Sequence, residues 1–164
     1  MCRPRLSDAP AAFESASDPD VARYVDWPIS TSIASVEERL RAREHEWESG
    51  HEFHWMMTVP PDDRAIGGIA CTISGHAAEF GFVVARRFWR NGYATEAACA
   101  IVEWIFSVRS VWRLSATCDV DNLASARVLE KAGLTREAIL RRAIVRPNLS
   151  PEPRDAFLYS KVRE

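Results

Sequence analysis

Hydrophobic residues recur with two different periods in the middle of the chain, between residues 79 and 106. Residues 79–85 are rich in aromatic and β-branched side chains, which predicts a β-strand. After Gly92 the apolar residues follow the spacing of a helix with one buried face, which predicts an α-helix as far as Phe106. The apolar positions are Ala94, Ala97, Ala98, Ile101, Val102 and Ile105. A short basic segment, residues 86–92, joins the two elements.

Helical patterns precede this strand–helix unit. Residues 7–17 predict a first helix, and residues 17–25 predict a second, short one. Ser35, followed three residues later by Glu38, is typical of a capping box, so a third helix is predicted to run from there to about residue 48. The N-terminal part of the chain is therefore expected to be helical before the strands begin.

The remaining pattern predicts five further strands and one more helix. The strands are predicted over 54–59, 66–74, 112–118, 134–145 and 155–162. Gly67 and Gly68 mark a bulge or a close backbone approach inside the second of them. The helix covers residues 122–131 and ends at Gly133, and the proline-rich residues 146–153 are predicted to be a loop. This order of elements indicates an α/β (α+β) fold with a mixed sheet.

Composition limits what the protein can be. A chain of 164 residues with 47% apolar and 27% charged residues is expected to form a single globular domain, residues 1–164. The net charge of −2 gives no argument for binding nucleic acid or an anionic membrane, and neither a long apolar run nor a signal peptide is present. The four cysteines match no metal site or disulfide framework. We therefore expect a soluble cytoplasmic protein with reduced thiols and no metal.

The basic segment between the strand and the helix is a candidate anion site. The first N–H groups of a helix have no partner within it and lie at the positive end of its dipole. Gly92 would let the backbone approach a ligand closely, although it can equally be an ordinary turn glycine. Arg86, Arg87 and Arg90 add positive charge. The segment is therefore predicted to hold a diphosphate.

Two motifs carry a resemblance to a known family. Residues 89–97, Trp-Arg-Asn-Gly-Tyr-Ala-Thr-Glu-Ala, resemble the acyl-CoA diphosphate loop of the GNAT N-acetyltransferases, Gln/Arg-x-x-Gly-x-Gly/Ala. Trp89 and the sequence after Gly92 resemble the RimJ/RimL branch, the ribosomal-protein N-terminal acetyltransferases. Residues 121–134 resemble the second family motif, Asn-x-x-Ser followed by Glu-Lys-x-Gly-Phe, and residues 17–24 resemble the branch's N-terminal helix. The resemblance spans nearly the whole chain.

The resemblance implies an enzyme that moves an acetyl group from acetyl-CoA to a primary amine by direct attack in a ternary complex. It also implies the GNAT fold, a mixed, mostly antiparallel central sheet flanked by helices. In that fold one strand pair splays apart, here 82–84 from Thr117 and Cys118, and holds the acyl-CoA. A backbone N–H near Val83 or Val84 would face the thioester carbonyl. The residues implied to bind the donor are Phe82, Val83, Val84, Arg87, Arg90, Asn91, Gly92, Tyr93, Ala94, Thr95 and Asn122.

The resemblance assigns Ser125 to protonate or hydrogen-bond the leaving thiolate. Asn122, three residues earlier on the same helix face, could bond pantetheine or Ser125, although it is also a good N-cap. Glu79 is the first candidate for the general base, beside Asp121, His54 and His76. The strand after the second motif has Ala-Ile-Val at 143–145 where some branch members have a glutamate. No general base follows from the sequence.

Several alternatives stay open. The acceptor can be a protein N-terminus or a small amine, and its site is expected in the variable segments 27–35 and 146–153. The rival functions are a non-catalytic acyl-CoA-binding sensor of the same fold and transfer of a longer acyl group. An acyl-cysteine route through Cys118 or Cys71 is a further alternative. The family's first strand is short or missing before Leu6, and an unprotected sheet edge there could favour a homodimer.

Overall fold

The structure is a computed structural model that describes residues 1–61 and 63–164, apart from the side chain of Glu44. Six strands, five α-helices and two 3₁₀ turns lie along these residues. The helices are α1 (Ala9–Ala16), α2 (Pro19–Ala22), α3 (Ile33–Ser49), α4 (Tyr93–Ser107) and α5 (Leu123–Lys131). The strands are β1 (Glu52–Val59), β2 (Arg64–Ser74), β3 (Ala77–Val84), β4 (Arg113–Asp119), β5 (Thr135–Arg146) and β6 (Ser150–Val162). The 3₁₀ turns are Leu6–Asp8 and Arg86–Phe88.

The six strands form one sheet in the order β1-β2-β3-β4-β6-β5, and every neighbouring pair except β3–β4 is antiparallel. The parallel β3–β4 ladder holds three residue pairs and ends at Glu79 and Ser115. Beyond that rung β3 stays paired with β2 as far as Val84, while β4 stays paired with β6 as far as Asp119. The predicted mixed, mostly antiparallel sheet with a splayed strand pair is confirmed.

The main core lies between the sheet and the helices α4 and α5. The predicted buried face of α4 is confirmed at Ala97, Ala98, Ile101, Val102 and Ile105, and Ala94 is half-buried at its edge. Burying a side chain the size of isoleucine contributes roughly 1.5–3 kcal/mol, so this face alone holds α4 firmly on the sheet. A separate cluster, formed by α1 and α3, contains Ala9, Ala16, Val36 and Leu40.

Side-chain caps fix the starts of three helices, and one of them differs from the prediction. Helix α3 begins at Ile33 with Ser32 as its N-cap, so the capping box predicted from Ser35 is wrong by one turn. The Oγ of Ser32 accepts a hydrogen bond from the N–H of Ser35 at 3.3 Å. The segment 32–35 contains two serines three apart, and extended backbone at Ser32 makes the first of them the cap. Asp18 and Asn122 cap α2 and α5.

The predicted loop over 146–153 is also wrong, because β6 begins at Ser150 and only residues 147–149 connect it to β5. Pairing between β4 and β6 ends at Ala156, so the prolines at 151 and 153 lie where β6 has β5 as its sole partner. Proline is tolerated in a strand on such an edge, since no ladder hydrogen bond is lost there. The predicted stub of a first strand is present as a single bridge between Cys2 and Met56.

Within residues 1–61 and 63–164, no helix has the length and apolar character needed to cross a membrane.

Gly67 provides the close backbone approach that the Gly67–Gly68 pair predicts. A Cβ at Gly67 would overlap the carbonyl oxygen of Val83 and lie 2.9 Å from the Cα of Val84. We expect Gly67→Ala to destabilise the protein by about 2 kcal/mol, the cost of overpacking a filled interior. Gly68→Ala is the matched control, because its Cβ would lie 3.6 Å from the nearest atom, an ordinary contact. Urea unfolding of both variants measures the difference, and equal stability would contradict the close approach.

Candidate active site

The gap between β3 and β4 exposes backbone groups that a regular sheet would pair. The N–H of Ala85 donates to Ile66 on β2 at 2.8 Å, and N–H directions alternate along a strand. The N–H of Val83 therefore faces β2, and the N–H of Val84 faces the gap. Of the two residues predicted to face a thioester carbonyl, the geometry favours Val84. Its own carbonyl accepts from Trp89 Nε1 at 2.7 Å, which ties the basic segment to the end of β3.

The basic segment leads directly into the N-terminus of α4. Arg90 and Gly92 both have positive φ angles, 65° and 86°, so the backbone turns tightly before the helix. The carbonyl of Gly92 accepts the N–H of Glu96, and the N–H groups of residues 93–95 therefore have no partner within the helix. Apart from its own neighbours along the chain, no described residue has an atom within 4 Å of where a Cβ of Gly92 would stand. The helix N-terminus faces open space of the kind that a bound anion fills.

The arginines of this segment differ in their partners. Arg86 pairs with Asp20 at 2.8 Å, and Arg87 pairs with Glu14 at 3.4 Å. Arg90 takes part in none of the ion pairs formed by the described residues. Arg87 and Arg90 were both expected to bind the diphosphate. Because Arg87 is paired and Arg90 is not, Arg90 is the better candidate.

One large cavity, of about 1160 Å³, brings most of the predicted site residues together. It is lined by Glu79, Phe82, Val83, Val84, Arg90, Gly92, Tyr93, Ala94, Thr95, Asn122 and Ser125. The predicted donor-binding residues Arg87 and Asn91 are not among its lining residues. The side-chain amide of Asn91 donates to the carbonyl of Trp89 at 3.1 Å instead, which supports the turn.

Asn122 and Ser125 meet at the start of α5. The Oδ1 of Asn122 accepts a hydrogen bond from the backbone N–H of Ser125 at 3.2 Å, so Asn122 serves as a helix cap and orients the first turn. The Ser125 hydroxyl is half-buried and lines the cavity. A hydroxyl in this position can give a hydrogen bond to an atom in the gap.

The four candidate bases have different surroundings. Glu79 lies on the last β3–β4 rung and accepts a long hydrogen bond, 3.5 Å, from Thr117 Oγ1. His54 also lines the cavity, but its Nε2 contacts Glu46 and Glu52 at 2.8 and 2.9 Å.

The other two candidates lie outside the cavity. Asp121 is held by Arg154 at 2.6 Å, and His76 is in the turn between β2 and β3, at the far end of β3 from the basic segment.

Of the two candidates that line the cavity, His54 has a lowered pKa because of its burial and, after that, the charge of Arg43. Glu79 is the candidate with an exposed carboxylate at the point where the strands part.

The cysteines on β2 and β4 are poor nucleophiles. Burial raises the pKa of Cys71 to about 12, and burial together with the nearby charge of Asp119 raises that of Cys118 to about 11. Both thiols are protonated at neutral pH, and a thiol attacks an acyl group far more slowly than a thiolate. An acyl-cysteine route is disfavoured.

Sequence reasoning missed the ion-pair network at the end of β4, which joins this strand to β6. Asp119, fully buried at the end of β4, receives two hydrogen bonds from Arg154, at 2.6 and 3.0 Å, and one from the N–H of Asp121. Burial alone would raise the pKa of Asp119, but these hydrogen bonds outweigh it and lower the pKa. No sequence signal could identify the pair, since the partners are 35 residues apart.

Asn148, at the tip between β5 and β6, joins the two segments in which an acceptor site is expected. Its amide donates to the carbonyls of Ala22 and Trp27 at 2.8 and 2.9 Å and accepts from the N–H of Ile29 at 2.9 Å. The tip is therefore fastened to the α2–α3 connection, and both segments border the same cavity through Trp27 and Arg146.

A sheet that parts beside the N-terminus of α4 agrees with the fold expected from the sequence, and comparison with known proteins identifies the class. Residues 1–135 match the family model of the acetyltransferase (GNAT) domain. YnaD, an uncharacterised N-acetyltransferase of Bacillus subtilis (strain 168), is 30% identical over 161 residues, which cover 97% of this chain and 90% of YnaD. The chain belongs to the GNAT acetyltransferase family.

Solved structures have the same fold. The microcin C7 self-immunity acetyltransferase MccE, in complex with acetyl-CoA and AMP, superposes with a TM-score of 0.85 at 19% identity, over 98% of this chain and 90% of MccE. RimL, the ribosomal L7/L12 α-N-protein acetyltransferase in complex with coenzyme A, gives 0.84 at 17% identity, over 98% and 92%. The expected likeness to the RimJ/RimL branch is confirmed at the level of the fold.

We expect Arg154→Gln to destabilise the protein by about 3 kcal/mol near neutral pH, because it removes the charged partner that donates two hydrogen bonds to the buried Asp119 carboxylate. The lowered pKa of Asp119 means that the wild-type pair contributes stability above the carboxyl's unfolded pKa and loses it as the pH falls through the folded value. The difference between variant and wild type should therefore shrink as the pH falls below about 4, the unfolded value, towards the lower folded value. Thermal unfolding across this range measures it, and a difference independent of pH would contradict the assignment.

Proposed function

We propose that the protein acetylates a primary amine with acetyl-CoA as donor, by direct attack within a ternary complex. The observation that carries this proposal is the gap between β3 and β4, which opens onto the N-terminus of α4. The gap offers unpaired backbone groups, and the helix offers an anion site beside it. Two structural neighbours, MccE and RimL, were solved with acetyl-CoA and coenzyme A.

The donor would bind along the cavity from the helix to the gap. Its diphosphate would accept hydrogen bonds from the N–H groups of residues 93–95, with Arg90 as the added cation. Its pantetheine arm would lie between β3 and β4, where it replaces the missing strand pairing. The N–H of Val84 would then face the thioester carbonyl and stabilise the oxyanion that forms there.

The chemistry needs two proton movements. The neutral amine attacks the thioester carbonyl to form a tetrahedral intermediate, which collapses to the amide and releases the CoA thiolate. Ser125 would hydrogen-bond or protonate the departing sulfur, and Glu79, directly or through water, would accept the proton that the amine loses. An α-amine, with a pKa near 8, would need less help from a base than a lysine, with a pKa near 10.4.

The acceptor would approach on the sheet face that carries Glu79, Gly81 and Val83. Side chains alternate across a strand, so these residues point away from Phe80 and Val84, which are buried against the core under α4. The mouth on this side is bordered by the α2–α3 connection and the β5–β6 tip. The acceptor is a protein N-terminus or a small amine that enters through this mouth.

Calorimetric titration with acetyl-CoA tests the donor site. Wild type should bind in the micromolar range, roughly −8 kcal/mol. Gly92→Ala should weaken binding at least about tenfold, because a Cβ in the left-handed conformation strains the turn and occupies the space proposed for the diphosphate. Gly50→Ala is the matched control, since Gly50 also has a positive φ and open surroundings but ends α3. An unchanged affinity in Gly92→Ala would contradict the diphosphate assignment.

Ser125→Ala should lower turnover by about tenfold or more while leaving the affinity for acetyl-CoA within about twofold, because it removes help to the leaving group and no donor contact. Release of CoA thiol from acetyl-CoA, with peptides beginning in Ser or Ala and with small amines, measures turnover. Unchanged kinetics would mean that Ser125 is an ordinary residue of the helix and gives no help to the leaving group. Donor binding without turnover on any amine in wild type would instead favour the non-catalytic sensor.

A further inference from the structure

Arg146, the last residue of β5, is a buried cation without a partner. Only 9% of its surface is exposed, and its Nε is fully buried with no hydrogen-bond acceptor among residues 1–61 and 63–164. It also takes no part in the ion pairs that the described residues form. A buried charge left in this state is unfavourable, which points to a group that Arg146 receives from outside the chain.

The neighbouring acids do not neutralise Arg146. Asp119 is already held by two hydrogen bonds from Arg154 and one from the N–H of Asp121. Asp26 attracts the guanidinium but is exposed and forms no ion pair with it. The Cys118 thiol, whose raised pKa keeps it protonated, supplies no charge at neutral pH. The positive charge of Arg146 is therefore available to an anion.

Arg146 lies next to the segments in which the acceptor site is expected. Arg146 lines that cavity together with Thr117 and Cys118 of β4, which border the gap. The β5–β6 tip that follows Arg146 is fastened by Asn148 to the carbonyls of Ala22 and Trp27. The diphosphate of the donor has its own site at the N-terminus of α4 and does not require this arginine.

We propose that Arg146 binds an oxyanion carried by the acceptor, so that the preferred substrate is a primary amine that bears a carboxylate or phosphate group close to the amine. The proposal rests on the proposed acetyl transfer and names its substrate class. A guanidinium presents parallel N–H donors that match two oxygens of such a group, which a lysine cannot do. The anion satisfies the buried Nε and holds the amine near the gap.

Product-like probes, which cannot react, test the proposal by calorimetry in the presence of CoA. The matched pairs are N-acetylglycine against N-acetylglycinamide, N-acetylaminomethylphosphonate against N-acetylmethylamine, and acetyl-Ser-Asp-Ala-amide against acetyl-Ser-Asn-Ala-amide. In wild type, the charged member of at least one pair should bind roughly tenfold or more tightly than its neutral twin, the expected size of a charge-assisted contact. The pair that responds identifies the source of the oxyanion.

Arg146→Gln should bring the ratio of the two affinities, charged probe over neutral probe, close to one. Arg146→Lys should give an intermediate ratio, because it keeps the positive charge without the two parallel N–H donors. Arg141→Gln, on the exposed side of the same strand, should keep the wild-type ratio. If Arg146→Gln does not fold, Arg146→Lys decides. A wild-type ratio near one in all three pairs, or an unchanged ratio in the Arg146 variants, overturns the proposal. Because the probes need no turnover, loss of acetyl transfer alone would refute the proposed function and leave this ratio intact.

Discussion

The structure depends on a break in strand pairing. After the Glu79–Ser115 rung, β3 and β4 no longer pair with each other. Each stays paired with its other neighbour, β3 with β2 and β4 with β6, so the sheet divides between them. Backbone N–H and C=O groups buried without partners are costly, which means that such a gap persists only if something satisfies them. Here Trp89 already satisfies the Val84 carbonyl, and a ligand in the gap can satisfy its N–H. The gap is thus a strand-shaped binding site built into the sheet.

The charges near the cavity follow from what surrounds each arginine. Arg86 and Arg87 are paired with acids of α1 and α2, and Arg154 is paired with Asp119 and Asp121. Those pairs join α1 and α2 to the basic segment, and the first half of β6 to the end of β4. Arg90 and Arg146 form no such pair within the described residues, and both line the cavity. The arginines that form ion pairs within the protein are therefore different from Arg90 and Arg146, which are available to ligands.

What the sequence predicted well was encoded locally. The strand–loop–helix unit and the α5 cap rest on residues within one or two turns of each other, and periodicity or capping preference reveals such contacts. The two family motifs are also local, and most of the site residues predicted from them line the cavity. The Ser32 cap was missed because two serines three apart offer the same local chemistry, and the backbone at Ser32 decides between them.

The remaining differences from the prediction concern contacts between distant residues. Proline at 151 and 153 normally indicates a loop. Here β4 ends before it reaches these positions, so β6 pairs only with β5 and loses no ladder hydrogen bond to proline. The proposed role of Arg146 was also missed because it depends on distant contacts. Arg146 is buried at the β5–β6 hairpin, and Asn148 binds the tip of this hairpin to residues more than 100 positions away. The proposed donor site was therefore predictable from a motif, whereas the proposed acceptor site depends on how two remote segments meet.

The surroundings of Glu79 and His54 distinguish the two candidate bases that line the cavity. His54 is buried between two carboxylates and beside Arg43, and a base in that position would have to break contacts of 2.8 and 2.9 Å before taking a proton. Glu79 makes only a 3.5 Å contact with Thr117 and stands where the strands part. A weakly held, solvated carboxylate can exchange its proton with water after each turnover. The geometry thus gives His54 contacts that join β1 to α3, and it favours Glu79 over His54 as the proposed acceptor of the amine's proton.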